Sequence, residues 1–183
     1  MDIKVIVATH RPCAVSTDPL YIPLQVGAAG KESIGLRRDD TGENISEKNP
    51  FFCELTGLYW AWKNLSAEYI GLVHYRRYFA GRRRSAHMCN MLILRREHLD
   101  AYCTWLFDIL FELEKRIDAT RYTPFQARFF GRISELLLDV WLEQNPLDYT
   151  TLPVAYIGRV RWDRKGRAFL AAKFLGRKYE KSL

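Results

Sequence analysis

The sequence predicts an α/β sandwich with a largely parallel sheet, on three observations. Two short runs, residues 3–8 and 68–74, read as buried strands, the first of them β-branched and almost wholly apolar as in a strand covered on both faces. Two long segments, residues 96–117 and 125–144, repeat apolar residues at the helical period. Strand-like and helix-like segments alternate along the chain, as a helix-covered sheet requires. The 183 residues, 48% of them hydrophobic, suffice for one domain with its own core and exclude a disordered or collagen-like chain.

The first run, IKVIVA, reads as a central strand. It ends in Thr9-His10-Arg11-Pro12, at the strand edge where ligands collect in open α/β sheets. Residues 13–50 are dense in Pro, Gly and Asp and are read as a long loop, either functional or a plain surface connection. Residues 51–64 read as a helix with Asn49 as N-cap and Pro50 in its first turn. Leu55, Leu58, Tyr59 and Trp62 share one face, as core residues.

The second strand runs into His74-Tyr75-Arg76-Arg77-Tyr78-Phe79, with cations and rings at one sheet edge. The arginine fork matches phosphate geometry and stays charged; the alternative is an arginine pair satisfying local carboxylates. Residues 86–94 read as a third strand, preceded by the basic turn 81–85. Residues 96–117 form the clearest helix, with Leu99, Tyr102, Cys103, Leu106, Leu110 and Leu113 on its stripe. In the helix over 125–144, Phe129, Ile133, Leu136, Leu137, Val140 and Trp141 are expected to face inward. Glu135 lies one step from that stripe, near Arg128 and Arg132. It is either half of a surface ion pair of little value or a carboxylate base at the sheet edge. Residues 153–157 read as a short edge strand.

Charge divides the chain in two. Residues 159–183 hold nine basic residues against two acidic ones, the whole surplus of +7, while residues 1–158 are neutral. A single domain over 1–158 with a basic tail over 159–183 is therefore expected. A neutral body argues against nucleic-acid binding. The tail, with Phe169, Leu170, Phe174 and Leu175 at helical spacing, is that of an interfacial amphipathic helix on an anionic membrane. No apolar run approaches the roughly 20 residues that span a bilayer, and the N-terminus does not read as a signal peptide. Cys13, Cys53, Cys89 and Cys103 form no C-x-x-C pair and are read as reduced thiols of a cytoplasmic protein.

P-loop, G-x-G-x-x-G, H-E-x-x-H and G-x-S-x-G motifs are absent. So is a D-x-D at the end of an expected strand. Asp39-Asp40 could supply oxygen ligands to a divalent cation, but two adjacent aspartates are common by chance.

Long strings carry a family resemblance: Val7-Ala8-Thr9-His10, Arg38-Asp39-Asp40-Thr41-Gly42 through Asn49, Glu54-Leu55-Thr56-Gly57-Leu58-Tyr59-Trp60-Ala61-Trp62-Lys63-Asn64, and Val73 through Phe79. Arg84-Ser85-Ala86-His87-Met88 with Asn90-Met91, and Phe130-Gly131-Arg132-Ile133-Ser134-Glu135, extend it over nearly the whole chain. The sequence resembles a bacterial capsular and exopolysaccharide glycosyltransferase family long catalogued as a domain of unknown function.

That resemblance implies a GT-A-like fold, the fold of nucleotide-diphospho-sugar transferases. It implies transfer of a hexose, galactose among the candidates, from a UDP-linked donor to a lipid-linked glycan at the inner face of the cell membrane. Thr9, His10, Asp39, Asp40, Asn44, His74, Arg76 and Arg77 would bind the nucleotide and its diphosphate. His87 and Asn90 would contact sugar or acceptor, and Glu135 would be the base. Whether Mg2+ or Mn2+ takes part is left open; with a metal, Asp39 and Asp40 would be its ligands. In the resembling family several dozen more residues separate the Tyr-Arg-Arg-Tyr-Phe string from the Arg-Ser-Ala-His-Met string. Here Phe79 and Arg84 are a few residues apart, so the chain could also be an impaired, binding-only remnant.

Overall fold

The computed structural model describes residues 1–79 and 90–156. The expected tail over 159–183, the basic turn 81–85, His87 and the first part of the third strand lie outside the described residues.

Among the described residues, seven strands build one mixed sheet: β1 (Ile3–Thr9), β2 (Tyr21–Gln25), β3 (Arg37–Arg38), β4 (Tyr69–His74), β5 (Arg77–Phe79), β6 (Leu92–Arg95) and β7 (Val154–Tyr156). Their order is β3-β2-β1-β4-β5-β7, and β6 also pairs with β4. β1, β2, β3 and β4 are mutually parallel, while β5, β6 and β7 join antiparallel. The helices are α1 (Asn49–Phe52), α2 (Leu55–Asn64), α3 (Arg96–Arg116) and α4 (Phe129–Gln144).

β1 is almost wholly apolar because both faces of its Val5–Ala8 stretch are covered. Ile6 and Ala8 look toward the helices, with Leu24, Ile70 and Leu72 beside them; Leu55 and Leu58 of α2, Tyr102, Leu106 and Phe107 of α3, and Phe130 and Trp141 of α4 close over that face. Val5 and Val7 look the other way, into a smaller cluster with Val73, Tyr75, Tyr78 and Met91. Among the described residues no helix is long and apolar enough to cross a membrane.

Four expectations are corrected. The helix over 51–64 is broken: α1 stops at Phe52, Cys53 takes a positive φ of 54°, and α2 starts at Leu55. Asn49 is the first residue of α1, not its N-cap. Its side-chain amide donates to the Cys53 carbonyl at 2.7 Å and to the Thr56 hydroxyl at 3.1 Å, holding the break in place. On α4, Phe129, Ile133, Leu137 and Trp141 pack on the core as expected and Phe130, Ser134 and Leu138 are buried beside them, whereas Leu136 is 70% and Val140 45% exposed. The buried side of the helix centres on Phe130, Leu138 and Trp141, and it takes in Ser134, whose hydroxyl bonds Asn90 and the Gly131 carbonyl. Lastly, the loop 13–50 contains β2 and β3.

Candidate functional site

The site lies at the carboxyl-terminal edge of the parallel strands. Register sets Ala8 opposite His74 and Thr9 opposite Gln25, so the segments leaving β1, β2 and β4 emerge side by side.

At the end of β1, Thr9 is fully buried. Its hydroxyl donates to the Arg11 carbonyl at 2.7 Å and accepts from the Arg11 N–H at 3.3 Å. This local turn brings His10 and Arg11 to the exposed rim; Thr9 shapes the site from beneath. After β4 the chain turns at once: His74 pairs with Arg77 across a hairpin whose tip is Tyr75-Arg76. Arg76 is therefore at the tip, and Arg77 starts the returning strand. The buried Tyr75 ring organises its neighbours. His10 meets it edge-on at 5.4 Å, and the Arg11 and Arg76 guanidinium carbons lie 5.1 and 4.9 Å from its centroid. Arg76 also donates to the Tyr75 hydroxyl.

Two further cations reach this rim from elsewhere. Lys31 comes from the loop after β2, and Arg128 precedes the first turn of α4. His10 records them all: burial, then the charges of Arg11, Arg76, Lys31 and Arg128, hold its imidazole below the usual value of 6.5. Sequence reasoning singled out Arg76 and Arg77 but not Arg11, Lys31 or Arg128. These residues lie in separate segments that only the sheet register joins. Arg11, directly after a buried strand, was the one with a local signal.

The aspartate pair serves the loop. Asp39 is fully buried; its carboxylate accepts from the backbone N–H groups of Gly27 at 2.8 Å and Ala28 at 3.0 Å, and from the Ser46 hydroxyl. Both Asp40 oxygens accept from Arg38, and that bond holds the Asp40 carboxyl below its usual range. A cation ligated by this pair would have to displace the Arg38 guanidinium and the buried loop bonds, so the pair as placed does not fit a metal. Among the described residues no group of three or more His, Cys, Asp or Glu could hold one. Asn44 is a turn former, donating to the Gly42 carbonyl at 2.9 Å and accepting from the Ser46 N–H at 3.2 Å.

Behind the rim is a buried polar network that sequence reasoning missed. Glu54, at the N-cap position of α2, is 9% exposed. One of its oxygens accepts from the Asn90 side-chain amide at 2.7 Å and faces His74 Nε2 at 3.5 Å. Burial works against its charge, but the imidazole and the amide outweigh it and hold the carboxyl below 4.5. Asn90 adopts φ 50°, a conformation asparagine tolerates. It also donates to the Gly131 carbonyl at 2.9 Å and accepts from the Ser134 hydroxyl at 2.7 Å. Its amide is thus engaged in the interior, where it holds Glu54, rather than turned toward a sugar.

Arg128 links network and rim. Its Nε donates to Cys53 Sγ at 3.0 Å. Burial opposes its charge, but Cys53, Glu54 and Glu135 together outweigh that and raise its pKa. Burial, with the Glu54 charge, pushes the Cys53 thiol up, and its sulfur accepts from Arg128. Glu135 is half-buried in α4, directly after Ser134.

A mostly parallel sheet flanked by helices, with cationic side chains at the strand ends, is a GT-A-like α/β fold. The solved structure of WbbM, a bifunctional glycosyltransferase in apo form, matches it with a TM-score of 0.78 at 22% identity, covering 87% of this chain and 46% of that one. This chain thus spans about half the length of that neighbour, and the likeness is one of fold. The chain belongs to the DUF4422 family, described as a domain of unknown function, whose model matches residues 4–86 and 81–146. A comparison with curated proteins gives no match.

Proposed function

We propose that this protein transfers a hexosyl group, galactosyl among the candidates, from a UDP-linked donor to a lipid-linked capsular or exopolysaccharide glycan. One observation carries the reading: at the carboxyl ends of the strands the Arg11 and Arg76 guanidiniums, from two separate segments, lie 5.1 and 4.9 Å from the Tyr75 ring that His10 also meets, with the charges of Lys31 and Arg128 close enough to disfavour a proton on His10. Concentrated positive charge at that edge suits a diphosphate. In transfer, the bond between the sugar anomeric carbon and the pyrophosphate oxygen breaks, and the acceptor hydroxyl oxygen bonds that carbon. The electron pair leaves with the nucleoside diphosphate, whose charge the cations neutralise. Glu135 takes the hydroxyl proton in an inverting displacement. Arg77 and His74 stand beside this rim, and Asp39 serves it by holding the loop that carries Lys31. The fold likeness to a glycosyltransferase supports the reading. The basic segment 159–183 would hold the enzyme at the anionic inner membrane face, at about 1 kcal/mol per Lys or Arg near the surface.

The test is calorimetry with UDP and UDP-hexoses, beside a transfer assay run with and without EDTA. Arg76→Ala and Arg128→Ala are each expected to weaken UDP binding about tenfold, the loss of one charge-assisted bond. Unchanged affinity in both overturns the assignment. A second reading, a binding-only remnant, is favoured by the family match, which falls into two pieces meeting at 81–86, where the resemblance places a shortened middle. UDP-sugar binding without turnover selects it.

A further inference from the structure

Residues 118–128, between α3 and α4, hold two aromatic rings at the surface. Asp118 caps the turn 119–121: its carboxylate accepts from the Thr120 N–H at 3.0 Å and from Arg121 Nε at 3.0 Å. In a second turn the Thr123 carbonyl accepts from the Ala127 N–H at 2.8 Å, and the Thr123 hydroxyl donates to Gln126 Oε1 at 3.0 Å. These bonds fix the backbone on both sides of Tyr122, yet its ring stays 48% exposed. That ring stands edge-on against Phe129 at 5.7 Å, and Phe129 packs in turn on Phe130 of the core at 4.3 Å. Phe125, half-buried, lies under the Arg132 guanidinium carbon at 4.1 Å, and Arg132 also donates to the Phe125 carbonyl at 3.0 Å. Rings held rigidly from behind cost a ligand little in ordering.

Phe129, Arg132 and Glu135 follow at three-residue spacing, one row along α4, so the rings backed by the first two stand on the approach to the third. The start of α4 also abuts the rim: Arg128 bonds Cys53 at 3.0 Å, and the next residue, Glu54, faces His74 at the end of β4. We propose that Tyr122 and Phe125 form an acceptor subsite, an aromatic face on which a neutral hexopyranose of the glycan stacks through its ring C–H groups. That the sugar is the acceptor rests on the transferase reading; that the rings take a sugar does not. A pyranose has an apolar C–H face bordered by hydroxyls. The surface matches it, since Arg121, Thr123, Gln126 and Arg132, all exposed, interrupt the rings with polar groups. A helix or a lipid surface would instead need a continuous apolar area. Asp118 answers the Arg121 charge, so the subsite calls for no anionic group on the sugar.

Saturation-transfer NMR on the full chain, with methyl β-galactoside and methyl β-glucoside as probes, reads this contact directly. The wild type is expected to saturate H3, H4 and H5 of the galactoside most strongly, the C–H groups that share one face of that ring. Tyr122→Ala and Phe125→Ala are each expected to weaken its binding about fivefold, the loss of one stacked ring, while Tyr122→Phe keeps the ring and retains binding. UDP affinity, measured by calorimetry, is expected to be the same in all these proteins, which a general disturbance of the fold would not allow. Saturation of neither probe by the wild type, or equal binding by wild type and Tyr122→Ala, overturns the proposal. A wild type that binds a probe through Tyr122 but binds no UDP leaves the sugar subsite standing and removes the transferase reading. One that binds UDP and neither probe removes the subsite and leaves the donor reading standing.

Discussion

The Asn90 side-chain amide donates at 2.7 Å to Glu54, a residue 36 positions earlier in the chain. That bond, with the Ser134 hydroxyl and Gly131 carbonyl on the same side chain, ties the start of α2 to the first turns of α4. Asn90→Leu removes all of it and leaves a buried carboxylate one partner short. A loss of about 3 kcal/mol is expected, the order found when a buried polar group is orphaned. Urea denaturation of the two chains measures it, and a loss below about 1 kcal/mol would show that the network is not holding the helices together.

The same carboxylate makes stability depend on acid. Burial disfavours the charge, but His74 and Asn90 hold the folded-state pKa of Glu54 below its ordinary 4.5. A group with a depressed folded value contributes stability that is complete above its unfolded pKa and is lost as pH falls through the folded one. The wild type should therefore lose urea resistance between about pH 5 and pH 3. Glu54→Gln, less stable at pH 6, should lose less over the same interval. Parallel curves for the two proteins would count against an ionised Glu54.

Gly27 tests the loop that carries Lys31. Its φ is +62°, and a Cβ there would lie 2.4 Å from the Asn49 side chain, the same side chain that fixes the α1–α2 break. Gly27→Ala therefore combines backbone strain with a clash, at a cost of about 2–4 kcal/mol. Thermal unfolding gives the destabilisation, and a wild-type melting temperature would refute the packing. By contrast, Gly30→Ala meets open space and bears only the conformational part.

How far the sequence revealed this architecture depended on where the determining information lay. β1, β4 and α3 were legible because a run buried on both faces, or a long 3.6 period, is a local signal; α3 ends within a residue of its expected limit. β2 was hidden by Pro23, which normally excludes a central strand. It is tolerated because β3 reaches only Leu24 and Gln25. Arg76 was found because it follows a buried strand. Glu54 was not, because a glutamate early in a helix reads as solvated, and its partners Asn90 and Ser134 are far away in sequence. Lys31 and Arg128 join the rim through topology, and Asp39 looked like a ligand because composition does not show that its oxygens face the Gly27 and Ala28 amides.

His10 offers a direct report on whether the rim takes an anion. Burial, followed by Arg11, Arg76, Lys31 and Arg128, lowers the pKa of its imidazole. A diphosphate seated among those four cations cancels their repulsion of a further proton and raises the His10 value. Linkage then requires that binding take up a proton and strengthen as pH falls through the pKa of the free protein. A UDP-hexose is the right probe, because its diesterified pyrophosphate does not itself titrate near neutrality. The His10 ring resonances, followed from pH 5 to 8, should titrate at higher pH in the presence of UDP-hexose than in its absence. Affinity should rise on going from pH 7.5 to 5.5, and His10→Gln should flatten that dependence. If UDP-hexose binds with no movement of the His10 titration, the bound diphosphate lies away from this rim and the four cations serve another purpose.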